Sequence, residues 1–207
     1  MKKPIRIGIP SIHSRLHPKV MGILGFQPYA DPKHLVFHMA SVDLFLIRGW
    51  DLAKATEAGR LDIAFCGLDT IIELEPNVKV IKHFDHMKSP IGLCMRNGQQ
   101  LKDTKHLVVA TEYPITTRRY LEGRYPDIEI VHVHGATEAF GQLEGIHAIV
   151  DIVETRETLR CNDLYLAEEF FHTYPCLVVS KNAPETIQTI TEKEITFYIK
   201  SVFPTQY

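Results

Sequence analysis

The chain has 207 residues, 45% of them hydrophobic and 23% charged, with a formal net charge of −2 at neutral pH. That describes an ordinary globular chain long enough to bury a core. It excludes a disordered polymer and gives no global field to gather nucleic acid or an anionic membrane. No apolar run approaches the ~20 residues that span a bilayer.

The N-terminal MKKPIRIGIP is basic, then briefly apolar, and reads as a first strand at IRIGIP rather than an export signal, so a cytoplasmic location is expected. SIHSRLHPKVMGILGF has helical spacing of Leu16, Val20, Ile23 and Leu24, with Pro18 limiting where the helix starts. HLVFHMA and VDLFLIRG read as strands, and WDLAKATEAG as an amphipathic helix stopped by Gly59. LDIAFCG, VKVIKHF, IGLCMRN, HLVVATE, IEIVHVH, HAIVDIV and CLVVSK read as further strands. Between or after them LDTIIELE, ITTRRYLEG, ATEAFGQLEG and the tail TEKEITFYIKSVF read as helices. This alternation predicts an α/β fold with mostly parallel sheets. Roughly a dozen strands exceed the ~4–6 of a usual sheet, which predicts two α/β domains with a central cleft and ligands outside the carboxyl ends of strands.

Cys66, Cys94, Cys161 and Cys176 are scattered with no C-x-x-C pair, so buried reduced thiols are expected rather than a disulfide framework or structural zinc. His132 and His134 in VHVH fall on one face of a strand and could hold a metal, but a third ligand is missing and a solvated pair is the commoner outcome. Arg118 and Arg119 read as a solvated helix face, with a phosphate contact the rarer alternative. Trp50 could stack on an adenine or serve packing.

The stretch AIVDIVETRETLR, residues 148–160, carries most of the chemistry. A strand ending in Asp151 and Glu154 runs into Thr155 and Thr158 where a helix could begin. Backbone N–H groups at a helix start and threonine hydroxyls donate to an anion, while carboxylates accept from sugar hydroxyls or hold Mg²⁺. Together they suit a phosphorylated ribose. The plainer reading makes Thr155 an N-cap, with Glu154 and Glu157 favouring the helix dipole, and local sequence alone prefers it.

Read with its neighbours, DIVETRETLRCNDL resembles the D-L-V-E-T-G-x-T-L-x-x-N-G-L segment of the ATP phosphoribosyltransferase family, which opens histidine biosynthesis. RGWDLAKATEAGRLDIAFCGLD resembles that family's R-x-x-D-I-P…G-x-x-D-L-G-I-x-G-x-D, and VVATEYPITTRRYLE its V-A-T-x-Y-P…R-x-Y. HGATEAFGQLEGIHAIVDIVET resembles G-x-x-E…A-D-A-I-V-D-L-V-E-T, and RIGIPSIHSRL a worn R-I-A-L-P-K-G-R-L.

The resemblance, closest to the short-form catalytic subunit, implies two domains like the type II periplasmic-binding proteins. Domain I would be 1–88 with 180–207, and domain II 89–179 with the phosphoribosyl loop. It implies a glycosyltransferase in which N1 of ATP displaces pyrophosphate from phosphoribosyl pyrophosphate, with Mg²⁺ as cofactor. It also implies a homo-oligomer and a regulatory subunit resembling histidyl-tRNA synthetase, with no nucleic-acid or membrane partner. Carried onto this sequence, Arg15 and Arg48 would act on the pyrophosphate or ATP phosphates as catalytic residues. Thr155 and Thr158 would hold the 5′-phosphate and Asp151 and Glu154 would face the ribose hydroxyls, with Arg156, Glu157 and Leu159 in the same loop. Asp51, Asp69 and Glu138 match family acids.

Three departures fall at this implied site. The loop glycine is Arg156, the Lys-Gly before the N-terminal arginine is lost within SIHS, and N-G-L has become Asn162-Asp163-Leu164. A position that needs φ > 0 would strain Arg156 by roughly 1–2 kcal/mol. These changes leave two alternatives open: a relative using another acceptor base or nucleotide, and a non-catalytic binding or regulatory protein on the same fold.

Overall fold

The computed structural model describes residues 3–27, 33–38, 41–101, 104–190 and 192–200. β1 (Ile5–Pro10) leads into α1 (Leu16–Leu24), where Pro18 sits in the first turn and removes no intrahelical N–H. Gly25 ends α1 at φ 76°, and the N–H groups of Gly25 and Phe26 donate to Gly22 and Met21 carbonyls at 3.0 and 2.9 Å. β2 (Val36–His38) and β3 (Val42–Ile47) precede α2 (Gly49–Glu57), which stops before Gly59 at φ 65°. β4 (Ile63–Gly67), α3 (Leu68–Leu74) and β5 (Val78–His83) follow.

After a 3-10 turn come β6 (Ser89–Arg96), β7 (Leu107–Thr111), α4 (Pro114–Leu121), β8 (Ile128–His132) and α5 (Thr137–Phe140). The chain continues through β9 (Ala148–Ile152), α6 (Arg156–Cys161), β10 (Leu164–Thr173), β11 (Pro175–Ser180), α7 (Glu185–Gln188) and α8 (Glu192–Lys200). Residues 39–40 of the expected second strand, and Thr191 and residues 201–203 of the expected last helix, lie outside the described residues. No helix among the described residues is long and apolar enough to cross a membrane.

The chain divides into two compact units, Met1–Met87 with Tyr174–Tyr207, and Lys88–Thr173. The first holds a six-stranded sheet in the order β2-β3-β1-β4-β11-β5. One face packs Ile7, Ile9 and Leu44 against Val20, Met21 and Leu24 of α1 and Ile195 of α8. The other packs Ala64, Cys66 and Val178 against Leu52 and Ala53 of α2. Each fully buried Ile, Leu, Val or Met among these contributes about 1.5–3 kcal/mol of transfer free energy. The second unit holds a five-stranded sheet, β10-β6-β9-β7-β8, with Ile149, Val153, Leu159 and Leu164 in one of its cores.

The structure corrects four expectations. Among the described residues four strand pairings are parallel and five antiparallel, so the sheets are mixed rather than mostly parallel. The return to the first unit falls after Thr173, not near residue 180, because β11 pairs with β4 and β5 of the first sheet. LYLAEEFFHT, expected as no element, forms the ten-residue edge strand β10. The helix expected over ATEAFGQLEG is only Thr137–Phe140, and Gly141 takes its C-cap position.

Candidate active site

In the second unit β9, β7 and β8 run parallel, so their carboxyl ends, Ile152, Thr111 and His132, lie on one edge of the sheet. The loop after β9 carries the predicted binding residues. Asp151 points to the core side with Ile149 and Val153 and is 6% exposed, and its Oδ1 accepts the Ile152 N–H at 2.7 Å. Glu154 is exposed, and its Oε2 accepts the Ser89 hydroxyl at 3.0 Å. Thr155 stands at the N-cap position of α6 with extended backbone, φ −135° and ψ 144°, but its hydroxyl makes no capping bond. Instead the Thr155 and Thr158 hydroxyls lie 3.3 Å apart, both exposed. Two hydroxyls at that spacing are within reach of the oxygens of one phosphate.

The neighbouring side chains have other tasks. Glu157 takes two bonds from Arg160, at 2.6 and 3.1 Å, which holds its carboxyl below the usual range, and the Cys161 thiol adds a weaker bond. Leu159, expected among the binding residues, places its side chain in the core, so only its backbone can face a ligand. Arg156 is the first residue of α6, is exposed, and is not among the residues with positive φ, so the expected strain is absent. The left-handed position is Asp163, at φ 52°. Glu138 lies on α5. Burial pushes the Cys94 thiol up to about 12, and the charges of Asp151 and Glu138 push the same way.

In the first unit β3, β1 and β4 are parallel, and the predicted Arg15, Arg48, Asp51 and Asp69 all follow their carboxyl ends. Arg15 is exposed at the start of α1, at the end of a loop tied down on several sides. The Ser11 N–H donates to Ile47 O at 2.8 Å, the Leu16 N–H to Ser14 Oγ at 3.2 Å, and buried His17 bonds through Nδ1 to Pro10 O at 2.7 Å. A carbonyl only accepts, so the proton is on His17 Nδ1. Arg48 and Asp51 are exposed at the start of α2. Asp69 is turned inward, 6% exposed, with Oδ2 accepting the Thr70 hydroxyl at 3.3 Å. Cys66 and Cys176 are buried and Cys161 is exposed. Burial raises the Cys176 thiol to about 12, Asp69 adding to it, so Cys176 is poorly suited to nucleophilic work.

Comparison with known proteins gives this geometry a family. The family described as HisG, ATP phosphoribosyltransferase, matches residues 48–200. The chain belongs to the ATP phosphoribosyltransferase family. The ATP phosphoribosyltransferase of Thermotoga neapolitana is 31% identical over 199 residues, covering 95% of this chain and 92% of that protein. A chain of the ATP phosphoribosyl transferase (HisG:HisZ) complex from Thermotoga maritima superposes with a TM-score of 0.74 at 26% identity, covering 95% of this chain and 96% of that one. The cysteine-binding protein of Campylobacter jejuni shares the fold alone, with a TM-score of 0.52 at 14% identity over 96% of this chain and 81% of that one. The ATP phosphoribosyltransferases are glycosyltransferases that open histidine biosynthesis, and membership favours that activity over another acceptor or a non-catalytic binder.

Sequence reasoning missed Ser89. It is a single serine in a polar stretch, and nothing local links it to an acid 65 positions away. Two of the three departures from the family pattern have a local account. Arg156 occupies helix that needs no glycine, and Asp163 takes the left-handed turn, a conformation Asp adopts more readily than most residues.

Proposed function

We propose that this chain transfers the phosphoribosyl group of phosphoribosyl pyrophosphate to N1 of ATP through the residues predicted from its sequence. The observation that carries the assignment of the loop is the exposed pair Thr155 and Thr158, hydroxyls 3.3 Å apart, directly after Glu154. In this reading the two hydroxyls and nearby backbone N–H groups hold the 5′-phosphate, and Glu154 accepts from the ribose hydroxyls. Asp151, being buried, shapes the strand end by accepting the Ile152 N–H. The bond from the anomeric carbon to pyrophosphate breaks as the bond to N1 forms, through an oxocarbenium-like state. Negative charge builds on the leaving group, and the exposed guanidinium groups of Arg15 and Arg48 suit its stabilisation.

The described residues include no trio of His, Cys, Asp or Glu able to cage a metal. Mg²⁺ commonly takes one or two carboxylates and fills its sphere with water and substrate phosphate. The donors here suit a Mg²⁺ that arrives on the pyrophosphate moiety, with the exposed carboxylate of Glu154 as the loop group that would meet it. The likeness to a chain of a HisG:HisZ complex supports a regulatory subunit. A histidyl-tRNA synthetase-like form of that subunit, a homo-oligomer and a cytoplasmic location complete the proposal.

Calorimetry with phosphoribosyl pyrophosphate and Mg²⁺ tests the loop assignment. Thr155→Ala and Thr158→Ala should each weaken binding by about tenfold, the worth of a hydrogen bond to a charged group. Unchanged affinity in both variants would remove the phosphate from this loop.

A further inference from the structure

Ser89 is the first residue of β6 and the second residue of the second unit. It is 4% exposed and stands opposite Thr173, the last residue of that unit, itself 3% exposed. From this buried position its hydroxyl reaches the solvent-facing carboxylate of Glu154, Oγ to Oε2 at 3.0 Å. The next residue repeats the tie on the backbone, because Pro90 O accepts the Val153 N–H at 2.8 Å. The start of β6 thus grips the loop after β9 at two consecutive residues, once through a main chain and once through a side chain.

We infer that Ser89 is a positioning residue for phosphoribosyl pyrophosphate, its hydroxyl fixing the Glu154 carboxylate in the orientation that receives the ribose hydroxyls. The inference rests on the proposed role of the loop. An exposed glutamate samples many rotamers and loses that freedom when it binds a ligand. A bond from a buried, strand-held hydroxyl removes much of the freedom beforehand, which lowers the cost of binding. A carboxylate has about four lone-pair sites, so the Ser89 bond does not by itself keep Glu154 from taking a diol. Because the carboxylate meets the ribose in ground and transition states alike, the loss should fall on KM rather than kcat.

The test is steady-state kinetics of Ser89→Ala, Ser89→Thr, Glu154→Ala, Thr158→Ala and the double variant S89A/E154A. Ser89→Ala should raise KM for phosphoribosyl pyrophosphate about three- to tenfold with kcat within about twofold, and Ser89→Thr should restore it. In the Glu154→Ala background the same serine change should have no further effect on KM. If Ser89→Ala does not fold, Ser89→Cys keeps the volume with a weaker donor and carries the same comparison. An unchanged KM in Ser89→Ala, or an equal rise with and without Glu154, overturns the positioning role while leaving the loop assignment intact. If Glu154→Ala and Thr158→Ala themselves leave KM unchanged, the loop assignment fails and the inference falls with it.

Discussion

At the scale of single residues, the two departures in the second unit have different physical characters. Arg156 looked strained in sequence because the family has glycine there, yet it occupies ordinary helix. Asp163 looked like a lost helix stop and does take the left-handed conformation, φ 52°. It is held there by the Asn97 side chain, Nδ2 to Oδ1 at 2.7 Å, and by the Asn97 N–H donating to its carbonyl at 3.1 Å. Asp163→Ala keeps the strain and loses the side-chain bond, whereas Asp163→Gly loses the bond and relieves the strain. The alanine variant should therefore be less stable than the glycine variant by about 1 kcal/mol. Denaturant melts of both check this, and equal stability would mean that Asp163 is not strained. The loop's carboxylates and threonines were legible in the sequence because they are contiguous. Ser89 was not, because its partner is distant in the chain.

At the scale of elements, the sheet of the second unit depends on close backbone approach. β10 shifts register twice against β6, between Leu166 and Glu168 and between Glu169 and Phe171. These irregularities break the period-two pattern and leave adjacent acids and adjacent aromatics side by side, which is why LYLAEEFFHT did not read as a strand. Gly92 pairs with Glu169 between the two shifts, where a β-carbon would run into the Glu168 backbone carbonyl and press on Leu166. Gly92→Ala should cost about 3 kcal/mol or more, read as a fall in Tm, since backbone cannot step aside as a side chain can. A variant as stable as the parent would show that the β10 register is wrong.

His106, just ahead of β7, bonds Asp127 through Nδ1 at 3.1 Å and Glu129 of β8 through Nε2 at 3.2 Å. These acids, Asp127 first, raise its pKa above the ordinary histidine value. The imidazolium therefore contributes stability fully below the unfolded value, about 6.5, and loses it as pH rises through the higher folded value. His106→Gln should be less stable than the parent at acid pH, with the gap closing as pH rises through the folded value. A gap independent of pH would exclude this linkage.

For the whole molecule, ten of the strand assignments and the division into two α/β units follow from apolar runs, although β2, β5 and β8 hold no buried residue. Whether a buried run pairs parallel or antiparallel, and which sheet receives it, is set by tertiary partners. CLVVSK reads as a buried strand in sequence, but only its ladder with β4 and β5 shows that it belongs to the first unit. The parallel trios β3-β1-β4 and β9-β7-β8 explain why predicted residues far apart in sequence gather at the carboxyl edge of each sheet. The most direct test of the account is pyrophosphate release by the purified protein given phosphoribosyl pyrophosphate and Mg²⁺, with and without ATP, for the parent and Thr158→Ala. Release should require ATP and fall at least about tenfold in the variant. Release indifferent to ATP, or undiminished by loss of the Thr158 hydroxyl, would contradict the assignment of this loop to phosphoribosyl transfer.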